Sequence, residues 1–260
     1  MTEWHLDHLA LATKNGNEVI ARLAVELGAT PIHGAMALGY RPMQVRVGNA
    51  TRGMNVEVIE PWDTEHNDFL ERFLDRHGEG PHHLTFKCPD LAAALPYVEA
   101  AGFHPTGVSL DNPQWREAFL VPKEAQGTVV QLAEYRDPEA NRSAYLEALE
   151  HGPPTEGKWW TDPPSARPVR AELRRVVMRS PAVADACRLF EDLLQGRAVD
   201  AGEGWRELDW PDGERIRLEE RPADSAGVDR VEIIDPIRRD VGGAPDDFRV
   251  AGTRFVVVDY

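Results

Sequence analysis

The chain has 260 residues, 42% of them apolar, and its 44 Asp and Glu against 29 Lys and Arg give a formal net charge of −15. That apolar content can fill one large core or two ordinary ones. The negative field repels phosphate backbones and anionic bilayers, which argues against nucleic acid or a membrane surface as a partner.

The opening MTEWHLDHLALAT has no basic stretch leading into a long apolar one, and no run of 18 apolar residues occurs, so a cytoplasmic location is the default expectation. Cys88 and Cys187 lie far apart without a CxxC pair, which leaves no disulfide framework and no thiolate zinc site. Cys88 ends an apolar run and reads as a small core residue.

In chain order, alternation predicts a strand over Trp4 to Thr13, with Trp4, Leu6, His8, Ala10 and Ala12 on one face. Val19, Leu23 and Leu27 then recur at helical spacing over Asn17 to Leu27, and Gly28 is a C-terminal stop. Strands are expected at Gly34 to Leu38, Met43 to Val47 and Asn55 to Ile59, followed by a short helix within Asp68 to Gly80.

The same order then begins again: strand His82 to Cys88, helix Leu91 to Ala101 before Gly102, and strands near Phe103 to Val108, Ala118 to Pro122 and Thr128 to Ala133. Placing DHLALAT on HHLTFKC pairs His8 with His83, and placing NVEVIEP on TVVQLAEY pairs Glu57 with Gln131. The two internal spacings agree to within one residue. A repeated supersecondary unit generally builds one surface shared between its copies.

Arg136 to Arg170 reads as a linker with a helical piece at Asn141 to His151 and the Gly- and Pro-rich stretch GPPTEGKWWTDPPSARP, in which Trp159 and Trp160 are expected to pin the two halves together. Beyond it come strand Leu173 to Arg179, helix Ala182 to Leu194, and strands Trp205 to Trp210 and Arg215 to Glu219. Arg175 falls at the His8 position and Arg217 at the Glu57 position. Val228 to Ile234 opens a fourth copy with Arg230 at the histidine position, IIDPIRRDVGGAPDD reads as a solvated loop, and Thr253 to Tyr260 as a last strand. The domains are accordingly 1–136, a metal-binding unit; 137–168, a linker with a helix; and 169–260, a degenerate, metal-free copy.

Imidazole nitrogens with carboxylate or amide oxygens suit Zn, Fe, Co, Ni or Mn as divalent ions, and such a set leaves positions open for substrate. His8, Glu57, His83 and Gln131 are the candidate metal ligands, with Glu57 and Gln131 also the candidate catalytic residues. A carboxylate between Val56 and Val58 is costly to bury unless it is paired or metal-bound. Tyr40 and Arg41 are candidate substrate contacts, since guanidinium groups bind carboxylate, phosphate or enolate oxygens. His82 should face away from His83 by strand alternation. His5, His33, His66, His77 and His104 are expected in solvent.

DHLALAT, VEVIEP, GEGPHHLTFKC and FLVPKEAQGTVVQLAEY resemble methylmalonyl-CoA epimerase and its vicinal-oxygen-chelate relatives, which include glyoxalase I, fosfomycin resistance proteins and extradiol dioxygenases. The resemblance is clear over about half the chain, and it implies substrate contacts where Trp115, Arg116 and Glu117 precede a strand of the second module. It implies an α+β fold of paired βαβββ modules in a cupped mixed sheet, with one ligand from the first and one from the last strand of each module, which again selects His8, Glu57, His83 and Gln131. This chain departs from the epimerase pattern by placing the carboxylate in the first module and the amide in the second, and GAMALGYRPMQVRV offers no second acid.

The resemblance implies one divalent ion acting as a Lewis acid that stabilises an enolate of a small carbonyl or carboxylate substrate, in an isomerase, epimerase or lyase. The two-His, one-carboxylate subset also suits a non-haem Fe(II) dioxygenase, and metal-free relatives bind drugs without turning them over. A small-molecule substrate is the expected partner, with a homodimer as the assembly to consider.

Overall fold

The computed structural model describes residues 3–112, 115–135, 138–153, 155–163, 167, 169–240 and 247–259. The first module runs β1 (His5–Ala12), α1 (Gly16–Leu27), β2 (Thr30–Gly34), β3 (Gly39–Gly48) and β4 (Gly53–Trp62). Helix α1 buries Val19, Ile20, Leu23, Ala24 and Leu27 on one face and ends where Gly28 takes the left-handed conformation at φ 68°, its N–H returning to the Ala24 carbonyl. This is the stop a residue without a Cβ permits.

Strands β3 and β4 pair in unbroken antiparallel register from Gly39 opposite Trp62 to Gly48 opposite Gly53. Met43, Val45, Val47, Met54, Val56 and Val58 are all buried on one face of this ladder, so Gln44, Arg46, Asn55 and Glu57 stand on the other. The strand expected at Gly34 to Leu38 lies earlier, at Thr30–Gly34. Gly39 at φ 93° turns the chain directly into β3.

Helix α2 (Phe69–His77) buries Leu70 and Leu74 against Ala10, Ala12 and Ile59, with Tyr40, Phe69 and Phe73 packed around them. The second module follows as β5 (Gly80–Cys88), α3 (Leu91–Ala100), β6 (Thr106–Ser109), β7 (Glu117–Leu120) and β8 (Val129–Glu134), and then α4 (Pro138–His151). The Asp90 side chain caps α3 by accepting from the Ala93 N–H.

In the remaining chain, β9 (Glu172–Ser180) leads into α5 (Val183–Cys187), which continues as a π-helix over Arg188–Leu193 where a plain α-helix is expected. Strands β10 (Arg197–Gly202), β11 (Trp205–Asp209) and β12 (Arg215–Glu220) complete a third module. Strand β13 (Gly227–Ile234), α6 (Pro236–Asp240), β14 (Asp247–Val250) and β15 (Thr253–Val257) form a fourth. Helix α6 corrects the reading of this stretch as a solvated loop. Asp235 is fully buried, accepts from the backbone N–H groups of Ile237 and Arg238, and is salt-bridged by Arg167 and Arg238. Residues 241–246 of that stretch lie outside the described residues, as does Tyr260.

The described strands form two mixed sheets, so the fold is α+β. One is eight-stranded in the order β2-β3-β4-β1-β5-β8-β7-β6, the other seven-stranded in the order β10-β11-β12-β9-β13-β15-β14. Counted outward from the middle, each module repeats one pattern: first strand, last strand, then the hairpin partners. The parallel pairs β5 with β8 and β9 with β12 follow from it.

Contacts gather the chain into two compact units. Unit one comprises Met1–His8, His83–Pro138 and Arg175–Arg230, where Phe86 packs on Phe190 and Trp210 at 6.0 and 5.3 Å. Unit two comprises Leu9–His82, Glu139–Arg174 and Val231–Tyr260, where Arg238 pairs with Glu26.

The linker tryptophans also belong to unit two, where they meet the first module. Trp159 Nε1 donates to the Pro42 carbonyl at 2.9 Å, and the six-membered ring of Trp160 lies against Gly34, where a Cβ would come within 2.1 Å of it. The bare glycine backbone makes room for the indole.

Candidate metal centre

His8 sits mid-strand in β1, alternating with the core residues Leu9 and Leu11, and is itself buried. Its ring is held at both nitrogens: Nδ1 lies 2.6 Å from Asp7 Oδ2 and Nε2 lies 2.8 Å from Thr85 Oγ1. Lys87 Nζ reaches the other Asp7 oxygen at 3.0 Å. Burial alone would raise the Asp7 carboxyl, but the Lys87 ammonium and the hydrogen bond with His8 hold it well below the usual carboxylate range.

His83 and Thr85 leave β5 on one face, two residues apart. The His83 ring meets that of His8 edge to face, centroids 5.7 Å apart. Across the parallel ladder Thr85 is the register partner of Gln131 on β8, and its hydroxyl donates to Gln131 Oε1 at 2.6 Å. The Gln131 amide then donates to Glu117 Oε2 at 2.7 Å, as does Trp115 Nε1, also at 2.7 Å.

Glu57 stands in the middle of β4 between two fully buried valines, opposite Gln44, whose amide nitrogen lies 3.3 Å from its carboxylate. In the next same-face pair of the ladder, Arg46 donates to Asn55 at 3.3 Å. The His82 ring packs on Phe73 and Phe69 at 4.5 and 6.0 Å, and burial pushes its pKa down to about 4, with Glu57 pulling the other way. A neutral aromatic partner for α2 is therefore the part His82 plays at neutral pH.

Among the described residues, one grouping of His, Cys, Asp or Glu brings three ligand atoms together. The donor atoms of His8, Glu57 and His83 all lie within 4.8 Å of one another, and all three residues are buried. Two imidazole nitrogens and one carboxylate oxygen at this spacing fit a divalent ion of the zinc, iron, cobalt, nickel or manganese type, whose bonds to such donors run near 2.0–2.2 Å. Gln131, buried too, joins His8 through Thr85.

Of the expected substrate contacts, Tyr40 packs edge-on against Phe69, and Arg41 is paired with Glu60 at 2.5 Å beneath the rings of Trp62 and Trp159. Trp115 lies on the Gln131 line through Glu117, with Lys87 over its ring. Arg116, just before β7, pairs with Glu134 at 3.1 Å. Asp7 and Thr85 are the polar neighbours that sequence reasoning did not single out as site residues. Strand alternation from His83 marks Thr85.

His33, His66, His77 and His104 are exposed as expected. His5 is not: its side chain is 19% exposed, hydrogen-bonded to Asp212 and edge-on to Tyr135. In the third module Arg175 and Arg215 both pair with Glu207 and Arg217 lies 3.9 Å over Trp205 and 3.3 Å from Glu219; in the fourth, Arg230 pairs with Glu219 and Asp229. Ion pairs thus occupy the positions corresponding to the ligands of the first two modules.

Paired modules of this strand order, carrying a buried His-Glu-His grouping, define a glyoxalase-like architecture. Residues 7–119 match the Glyoxalase/Bleomycin resistance protein/Dioxygenase superfamily, and over those residues the chain carries a domain of that superfamily. Among solved structures, a hypothetical protein from Staphylococcus aureus aligns over 98% of this chain and 99% of its own, with TM-score 0.64 at 10% identity, and so shares the whole fold. Methylmalonyl-CoA epimerase from Mycobacterium tuberculosis aligns over 53% of this chain and 91% of its own at 24% identity and TM-score 0.45. A hypothetical protein from Bacillus halodurans aligns over 52% and 96% at 20% identity and TM-score 0.45. No curated protein matches the chain. Among the described residues no helix is long and apolar enough to cross a membrane.

Proposed function

We propose that the chain is a divalent-metal-dependent enzyme that acts on a small carbonyl- or carboxylate-bearing substrate by moving a proton next to a carbonyl, as an isomerase, epimerase or lyase. The observation that carries this reading is the buried grouping of His8, Glu57 and His83 within a domain of the Glyoxalase/Bleomycin resistance protein/Dioxygenase superfamily. When bound, the ion would supply Lewis acidity toward the substrate's oxygens, which offsets the negative charge that develops when the neighbouring C–H loses its proton.

The remaining work falls to the side chains. Glu57 offers the carboxylate that can accept a proton, with Gln44 holding one of its oxygens. Gln131, steadied at both ends by Thr85 and Glu117, presents a fixed amide beside the histidines. Tyr40 and Trp115 line the substrate. Arg41 and Arg116 contact it only on leaving Glu60 and Glu134.

The test is hydrogen exchange. Protein loaded in turn with zinc, cobalt, nickel and manganese is incubated in D2O with 2-oxo acids and acyl thioesters, and deuterium at the carbon next to the carbonyl is followed by NMR. Exchange that disappears in His83→Ala supports the reading, and absence of exchange across the series contradicts it. The two-His, one-carboxylate composition of the grouping favours one alternative, a non-haem Fe(II) dioxygenase. Oxygen uptake by the Fe(II)-loaded protein with a catechol, without such exchange, would decide for it.

A further inference from the structure

A carboxylate accepts hydrogen bonds and does not donate them, so the 2.6 Å contact between His8 Nδ1 and Asp7 Oδ2 places a proton on Nδ1. Lys87 Nζ, 3.0 Å from Oδ1, holds the second oxygen of the same carboxylate. With Nδ1 protonated, a neutral imidazole keeps its lone pair on Nε2, the nitrogen 2.8 Å from Thr85 Oγ1. Thr85 gives its one hydroxyl proton to Gln131 Oε1 at 2.6 Å.

We propose that Asp7, backed by Lys87, is the positioning residue of this centre: it fixes the Nδ1–H tautomer of His8 and makes Nε2 the donor atom toward a divalent cation. The proposal rests on the metal reading above. Its physical content is that a charged acceptor behind a ligand histidine fixes ring orientation and raises its basicity, and removal of such an acceptor commonly weakens metal binding by about ten- to a hundredfold. The arrangement differs between modules in sequence alone, because the residue before His83 is His82, not an acid.

The test uses the full chain and two readouts. Long-range proton–nitrogen NMR of the metal-free protein reports the His8 tautomer, and competition with a chromogenic chelator reports zinc affinity. Wild type is expected to show Nδ1–H. The isosteric Asp7→Asn variant is expected to keep its fold by circular dichroism and melting temperature and to bind zinc about ten- to a hundredfold more weakly. Lys87→Met is expected to shift affinity in the same direction by less. An Nε2–H tautomer in wild type, or zinc binding in Asp7→Asn as tight as in wild type, overturns the proposal. Failure of the metal reading looks different, since zinc is then bound by none of the proteins, wild type included.

Discussion

The rings of His8 and His83 meet edge to face with their centroids 5.7 Å apart, each carried by the first strand of its own module. With Glu57 the two make a grouping whose charge comes from one residue. Replacing Glu57 by Gln keeps a hydrogen-bonding partner for Gln44 and removes the carboxylate. Zinc affinity is expected to fall by about tenfold or more in a protein that still folds. Chelator competition measures it, and unchanged affinity would remove Glu57 from the ligand set.

Both thiols are expected to be inert. Burial pushes Cys88 up to about 12, and burial followed by Glu191 pushes Cys187 up to about 11. A group held this far above neutrality stays a protonated, weakly nucleophilic thiol. Labelling with a disulfide reagent at pH 8 should release two equivalents of chromophore promptly only in denaturant. Fast labelling of the native chain would contradict the burial.

A pH dependence follows from His5. The Asp212 hydrogen bond raises its pKa, burial opposes, and the charges of Asp212, Glu3 and Glu214 add to the rise. A histidine whose folded pKa exceeds its unfolded one, about 6.5, stabilises the fold fully below the unfolded value. It loses that contribution as pH rises through the folded value. Asp212 is largely exposed, so screening keeps the effect small. Asp212→Asn should therefore be slightly less stable than wild type at pH 5.5 and equal to it at pH 9, in urea melts at both. A deficit that grows with pH would refute the sign.

Gly34→Ala tests the seat of the linker. The added carbon would come within 2.1 Å of the Trp160 ring, against backbone that the β2–β3 ladder holds in place. Overpacking of this kind costs about 1–3 kcal/mol. Equal denaturation midpoints for variant and wild type would mean that Trp160 does not occupy that position in solution.

How much of this could be read in the sequence differs from one stretch to the next. His8 and His83 could be found because strand alternation and the internal repeat point to the same residues, and each lies in a strand close to the expected bounds. Thr85 was harder to find. Its importance lies in cross-strand register, Thr85 beside Gln131, and register is a long-range property that local periodicity does not carry. Asp235 was obscured by its charged neighbours. In a run as polar as DPIRRD, burial is decided by partners elsewhere in the chain, here Arg167. The switch from α5 to a π-helix left no mark in the apolar spacing, since Leu189, Phe190 and Leu194 remain buried in either geometry.

The central claim is that His8, Glu57 and His83 hold a metal ion, and the most direct measurement is metal content by mass spectrometry. Protein is purified without chelator or affinity metal, and wild type is compared with the double variant His8→Ala, His83→Ala. Near one equivalent of a divalent metal in wild type and none in the variant is the expected result. No metal in either, even after reconstitution with zinc, iron, cobalt, nickel and manganese, would contradict the account and leave a metal-free small-molecule binder in its place.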